Sequence, residues 1–89
     1  MKAIVTVVGQ DRVGIIAAVC AKLAEFNVNV LDISQTVMQG YFTMMMVVDT
    51  SACTVPLAQL CDRMDAAGKD MGLSIKVQRE DIFQAMHRI

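Results

Sequence analysis

An α+β fold, with an antiparallel four-stranded sheet carrying two helices on one face, is predicted from three observations. The apolar residues change period twice along the chain, from β-type runs to three- and four-residue steps and back again. The resulting segments follow the order β-α-β-β-α-β. Glycine, asparagine and proline fall at the junctions between them, where turns and helix ends require them.

Each element can be justified in order. Lys2 to Val8 (KAIVTVV) is β-branched and nearly all apolar, as a central strand is. Gly14 to Phe26 takes up the helical period. Ile15 or Ile16, Val19, Leu23 and Phe26 share one stripe, and Lys22 and Glu25 lie off it. Asn27 suits the left-handed end of that helix. Val28 to Met38 is extended, Gln39-Gly40 is a turn signal, and Tyr41 to Asp49 returns as the second arm of a hairpin.

A polar connection, Thr50 to Val55, leads to Pro56, which a first helical turn tolerates. Leu57, Leu60, Cys61, Met64, Ala67 and Met71 make one helix face, closed by Gly72. Leu73 to Gln78 alternates strictly, as a half-exposed strand does. Asp81 to Ile89 carries a capping pattern, Asp81 then Gln84, with apolar Ile82, Phe83, Met86 and Ile89. It reads as a short amphipathic helix that cannot hold together alone. The whole is the ferredoxin-like, split βαβ arrangement. Residues 1–79 form the domain, and residues 80–89 form a C-terminal helix packed on it or on a second subunit.

Composition narrows the function. With 89 residues there is one domain, 55% hydrophobic and only 19% charged, with a mean hydropathy of +0.48. That apolar excess implies surface buried against another subunit, so a homodimer or higher homo-oligomer is expected. The net charge is −1 and no basic run occurs, which argues against direct nucleic-acid contact. The longest apolar stretch, Val13 to Ala21, is half of the ~20 residues a membrane span needs. No signal peptide is expected. Cys20, Cys53 and Cys61 are odd in number and lack C-x-x-C spacing. They fit the buried, reduced thiols of a cytoplasmic protein.

Several uses of this fold fail on its residues. A metallochaperone needs two thiols in the first loop, and this loop, GQDRVG, has none. Aromatics make up only 4% of the chain, too few to stack RNA bases. Three cysteines cannot supply the four ligands of a ferredoxin cluster. Gly9 and Gly14 have the spacing of P-loop glycines, but Ile15-Ile16 stand where Lys and Ser/Thr contact phosphate and magnesium. Arg12 invites comparison with acylphosphatases, whose surrounding pattern is different. His87, the one histidine, has no nucleophile to activate. No catalytic residue, metal set or cofactor is expected.

The first loop holds the strongest functional signal. In VVGQDRVGII, a helix beginning near Gly14 offers free N–H groups and a partial positive charge, a seat for a carboxylate. Gly14 lets a ligand approach the backbone, and Gly9 gives a tight exit from the strand. Asp11-Arg12-Val13-Gly14 and the following Asn27-Val28-Asn29 resemble the ACT domain, a small-molecule-sensing module of amino-acid metabolism. Val13 stands where those modules usually have proline.

The resemblance covers Met1 to about Val77. VQREDIFQAMHRI and LDISQTVMQGYFTM are similar, more narrowly, to small stand-alone bacterial ACT proteins. The likeness to the ACT regulator that represses glycine cleavage genes is looser. It implies an amino acid bound at a subunit interface by Asp11 and Asn29, with Gln10 and Gln35 in reach. Arg12, Val13, Gly14 and Ile15 would form the loop and helix start.

The residues also admit plainer roles. Asp11 can cap the helix, Gly14 can permit close packing of helix on sheet, and Arg12 can be a solvated surface charge. Met38, Met44, Met45 and Met46 alternate, so about half of them belong to the core and the others can line an interface. Two readings follow. One is a sensor of an amino acid or similar metabolite. The other is a dimerising protein-interaction module with an empty pocket, acting through Phe83 and Met86 on a protein partner.

Overall fold

The structure is a computed structural model and describes residues 1–81. The chain forms β1 (Lys2–Gln10), α1 (Ile15–Glu25), β2 (Asn29–Met38), β3 (Tyr41–Asp49), α2 (Leu57–Met71) and β4 (Ser74–Arg79). One antiparallel sheet results, in the order β2-β3-β1-β4, which is the ferredoxin-like α+β architecture. The helix expected over residues 80–89, with Ile82, Phe83, Met86, His87 and Ile89, lies almost wholly outside the described residues.

Strand alternation decides where the core sits. Ala3, Val5 and Val7 of β1, Phe42, Met44, Met46 and Val48 of β3, and Ile75 and Val77 of β4 share one face. There they meet Ile15, Val19 and Leu23 of α1 and Leu60 and Met64 of α2. Each of these side chains larger than Ala3 contributes roughly 1.5–3 kcal/mol through burial. Among the described residues no polar side chain is buried. Met44 and Met46 are fully buried, whereas Met38 and Met45 are exposed, as the alternation predicts.

The connections follow from backbone chemistry. Gln39 and Gly40 both have positive φ, 50° and 83°, the requirement of a two-residue turn that matches strand twist. That turn sets the register Met38↔Tyr41. Asn27 (φ 60°) and Gly72 (φ 71°) end the two helices in the left-handed region. Closure of α2 takes Leu73 out of the following strand: its N–H donates to the Gly68 carbonyl at 2.7 Å. β4 therefore starts one residue later than alternation alone suggests.

Gly9 corrects an expectation. It does not turn the chain out of a strand. β1 runs on through Gly9 and Gln10, which pair with Phe42 and Tyr41. A Cβ at Gly9 would collide with Leu73 Cδ2, and one at Gly68 would lie 2.9 Å from the Leu73 carbonyl oxygen. Leu73 thus sits between two glycine notches, one on β1 and one on α2.

All three cysteines are free and half-buried. The Cys61 thiol donates to the Val77 carbonyl at 3.3 Å. Burial pushes its pKa up, and the nearby charge of Asp62 adds to the effect. No described helix is long and apolar enough to cross a membrane.

Candidate functional site

The β1–α1 loop is pinned at two points. The Asp11 N–H donates to the Gly40 carbonyl at 2.8 Å, tying the loop to the β2–β3 turn. The Arg12 guanidinium donates to the Met71 carbonyl, at the α2 C-terminus, where unpaired carbonyls carry a partial negative charge. Gly14 then takes φ 91° as the residue preceding α1. Nothing lies within 4 Å of where its Cβ would be, so it serves conformation and not close packing. The first intrahelical bond runs from the Ala18 N–H to the Gly14 carbonyl at 2.9 Å. The N–H groups of Ile15, Ile16 and Ala17 therefore have no intrahelical acceptor.

Among the described residues no side chain caps them. Asp11 is exposed and does not make the capping bond that its position allows. Among the described residues, no hydrogen bond or ion pair involves its carboxylate. Beside this helix start lies an open cleft of about 490 Å³. Asp11, Arg12, Gly14 and Ile15 form its loop wall, and Ile16 and Ala17 continue it along α1. Gln35 and Val37 of β2 and Phe42 of β3 form the opposite wall. The cleft presents one carboxylate, one guanidinium, one amide, N–H groups at the helix start and an apolar flank. Nothing in it is arranged for covalent or acid–base chemistry.

Five of the eight residues singled out in the sequence meet here: Asp11, Arg12, Gly14, Ile15 and Gln35. Gln10 does not, because the residues of β1 that face the helices are Ala3, Val5 and Val7, and alternation turns Gln10 to the other face. Val13 is fully exposed and stands outside the cleft. Asn29 is also exposed. It pairs with Asp49, whereas the loop end of the sheet is marked by Met38↔Tyr41. Eight strand steps of ~3.3 Å separate these pairs, roughly 26 Å within one chain.

The apolar wall of Ile16, Val37 and Phe42 escaped the sequence reading. The signal was nonetheless available. A two-residue turn at Gln39-Gly40 places Val37 opposite Phe42 and Gln35 opposite Met44, so all four share the helix-covered face.

Fold and loop together are those of a small ferredoxin-like α+β module. Residues 2–78 match the family model of the ACT domain, and the chain belongs to that family. It is 53% identical over 89 residues to a UPF0237 protein of Clostridium acetobutylicum, covering 100% of both chains. Its fold superposes on an ACT domain protein from Streptococcus pneumoniae with a TM-score of 0.83 and 44% identity, covering 94% of each. The regulatory subunit of aspartate kinase from Thermus thermophilus shares the fold at a TM-score of 0.65 and 22% identity. That match covers 86% of this chain and 50% of that one.

Proposed function

We propose that this chain is a stand-alone cytoplasmic sensor that binds an amino acid or similar small metabolite in the β1–α1 cleft of a homodimer. Binding changes its assembly or its affinity for a protein partner. The observation that carries this reading is the cleft itself. Unpaired N–H groups at the α1 start suit a carboxylate. The unpartnered Asp11 carboxylate beside them suits an ammonium group, and a side chain can lie against Val37 and Phe42.

The dimer accounts for Asn29. β2 is an edge strand exposed over nearly its whole length, with Leu31, Ile33 and Val37 among the exposed apolar residues. Such an edge invites pairing. Antiparallel pairing of two β2 strands about a two-fold axis brings Asn29 of the partner subunit alongside Gln35 and Met38, beside the cleft.

A thermal-shift panel of the twenty amino acids and common metabolites, followed by calorimetry, tests the proposal. A ligand at 100 times its Kd stabilises the fold by about 2.7 kcal/mol. Loss of that stabilisation in both Asn29→Ala and Asp11→Ala locates the site at the interface. A blank panel on folded dimer overturns the sensor reading in favour of a protein-interaction module that uses the β2 edge.

A further inference from the structure

The helix side of the sheet is not covered out to its edge. Strand register puts Gln35 and Val37 of β2 on that side, opposite Met44 and Phe42 of β3. The β3 residues are closed off: Met44 is fully buried and Phe42 is 4% exposed. Val37, directly across from Phe42, is 54% exposed, and Gln35 is exposed too. The helical layer therefore covers β3 and stops short of β2. On the α1 side of the gap Ile16 is 36% exposed. Both flanks of the cleft thus turn carbon toward open space. Ile33, on the same side two residues along β2, is 42% exposed, so the apolar surface continues past the amide.

Charge is confined to the loop end. Among the described residues that line the cleft, the charged ones are Asp11 and Arg12, and Arg12 already donates to the Met71 carbonyl. Away from the loop, Ile16, Val37 and Phe42 offer carbon and Gln35 a neutral amide. A charged ligand side chain lying there would give up water and meet carbon instead of an opposite charge. A hydrogen atom or a single methyl group would leave the flanks wet. A larger apolar side chain removes both surfaces from water, which is worth roughly fourfold in affinity for each methylene group fully buried.

Resting on the sensor reading, we infer that the cleft takes an amino acid with a bulky apolar side chain, selected by Val37 and Ile16. Phe42 is the floor beneath that side chain and belongs to the core. Val37 and Ile16 are not committed to the core, so they set specificity without holding the fold together. Small, hydroxylated and charged amino acids are set aside. The loop reads the groups common to every amino acid, and the bare strip of β2 reads the side chain.

Calorimetry of the full chain with alanine, leucine, phenylalanine, serine, lysine and glutamate tests this selectivity. Leucine or phenylalanine is expected to bind at least about tenfold tighter than alanine, and serine, lysine and glutamate no tighter than alanine. Val37→Ser should narrow the gap between the bulky ligand and alanine severalfold, and Val37→Ile should preserve it. Serine, lysine or glutamate binding as tightly as leucine and phenylalanine overturns the selectivity and leaves the sensor reading standing. A gap unchanged in Val37→Ser overturns it as well, since the side chain then lies elsewhere. Absence of binding by every amino acid also overturns it, and the sensor reading falls with it if the wider metabolite panel is blank.

Discussion

The two ends of the sheet treat their polar groups in opposite ways. At the end marked by Lys2 and Asp49 the groups satisfy one another. The Met1 amine donates to Ser51 Oγ at 2.9 Å and lies 3.6 Å from the Asp49 carboxylate. Ser51 donates to that carboxylate from its N–H at 2.9 Å and its hydroxyl at 2.6 Å, and the Thr50 N–H closes onto the Met1 carbonyl at 2.8 Å.

At the loop end the backbone is equally well fixed, through Gly40 and Met71. The Asp11 carboxylate and the first N–H groups of α1 are nevertheless left without partners. A closed network contributes to stability and leaves nothing for a ligand. A fixed loop with unpaired groups is prepared to bind one without first paying the ordering cost.

The contrast breaks most severely if the loop end loses its mechanical support. Leu73→Ala empties the space over Gly9 that the Leu73 side chain fills and is expected to destabilise the fold by about 3 kcal/mol in urea denaturation. Ser51→Ala at the closed end is exposed, and should cost no more than about 0.5 kcal/mol. Equal losses at the two positions would contradict the view that Leu73 supports the loop end.

A second substitution separates binding from stability. Under the proposed function, Asp11→Asn removes the charge that would face a ligand ammonium while leaving the backbone bond to Gly40. It should weaken ligand affinity by about tenfold, or ~1.4 kcal/mol, with the unliganded Tm unchanged. A fall in the unliganded Tm would make Asp11 a structural residue.

The same contrast explains what could be read from the sequence. The fold was legible because local signals agree: alternation in β3, the helical stripe of α2, and a turn at Gln39-Gly40 that sets the register of both arms. The loop wall of the cleft was legible because Asp11 to Ile15 are contiguous. The opposite wall was not, since Val37 and Phe42 reach the site only through hairpin register and the placement of α1. Gly9 misled because a glycine that ends an apolar run looks like a turn, while its actual reason, the Leu73 side chain, is 64 residues further on. Asn29 is exposed although its neighbours in sequence are apolar. Apolar neighbours in sequence bury a residue only if its strand is central, and β2 lies at the sheet edge.

Gly14 offers a smaller test of the loop end. Its φ of 91° is one that an L-residue adopts at a cost of about 1 kcal/mol, although there is space for a Cβ. Gly14→Ala should lower stability by about that amount. It should lower ligand affinity too, because relaxing the strain tilts the N–H groups at the helix start. A stability loss with unchanged affinity would place the carboxylate seat elsewhere in the cleft.

The smallest effect belongs to the closed end and appears only with pH. The Ser51 hydroxyl, then its backbone N–H, then the positive charge of the Met1 amine hold the Asp49 carboxyl below its ordinary pKa of 3.8. A folded pKa below the unfolded one means stability that is complete above about pH 4. It fades as the pH falls through the folded value. Asp49→Asn should therefore lower the Tm slightly at pH 7, and the difference from the parent protein should close as both are acidified below pH 4.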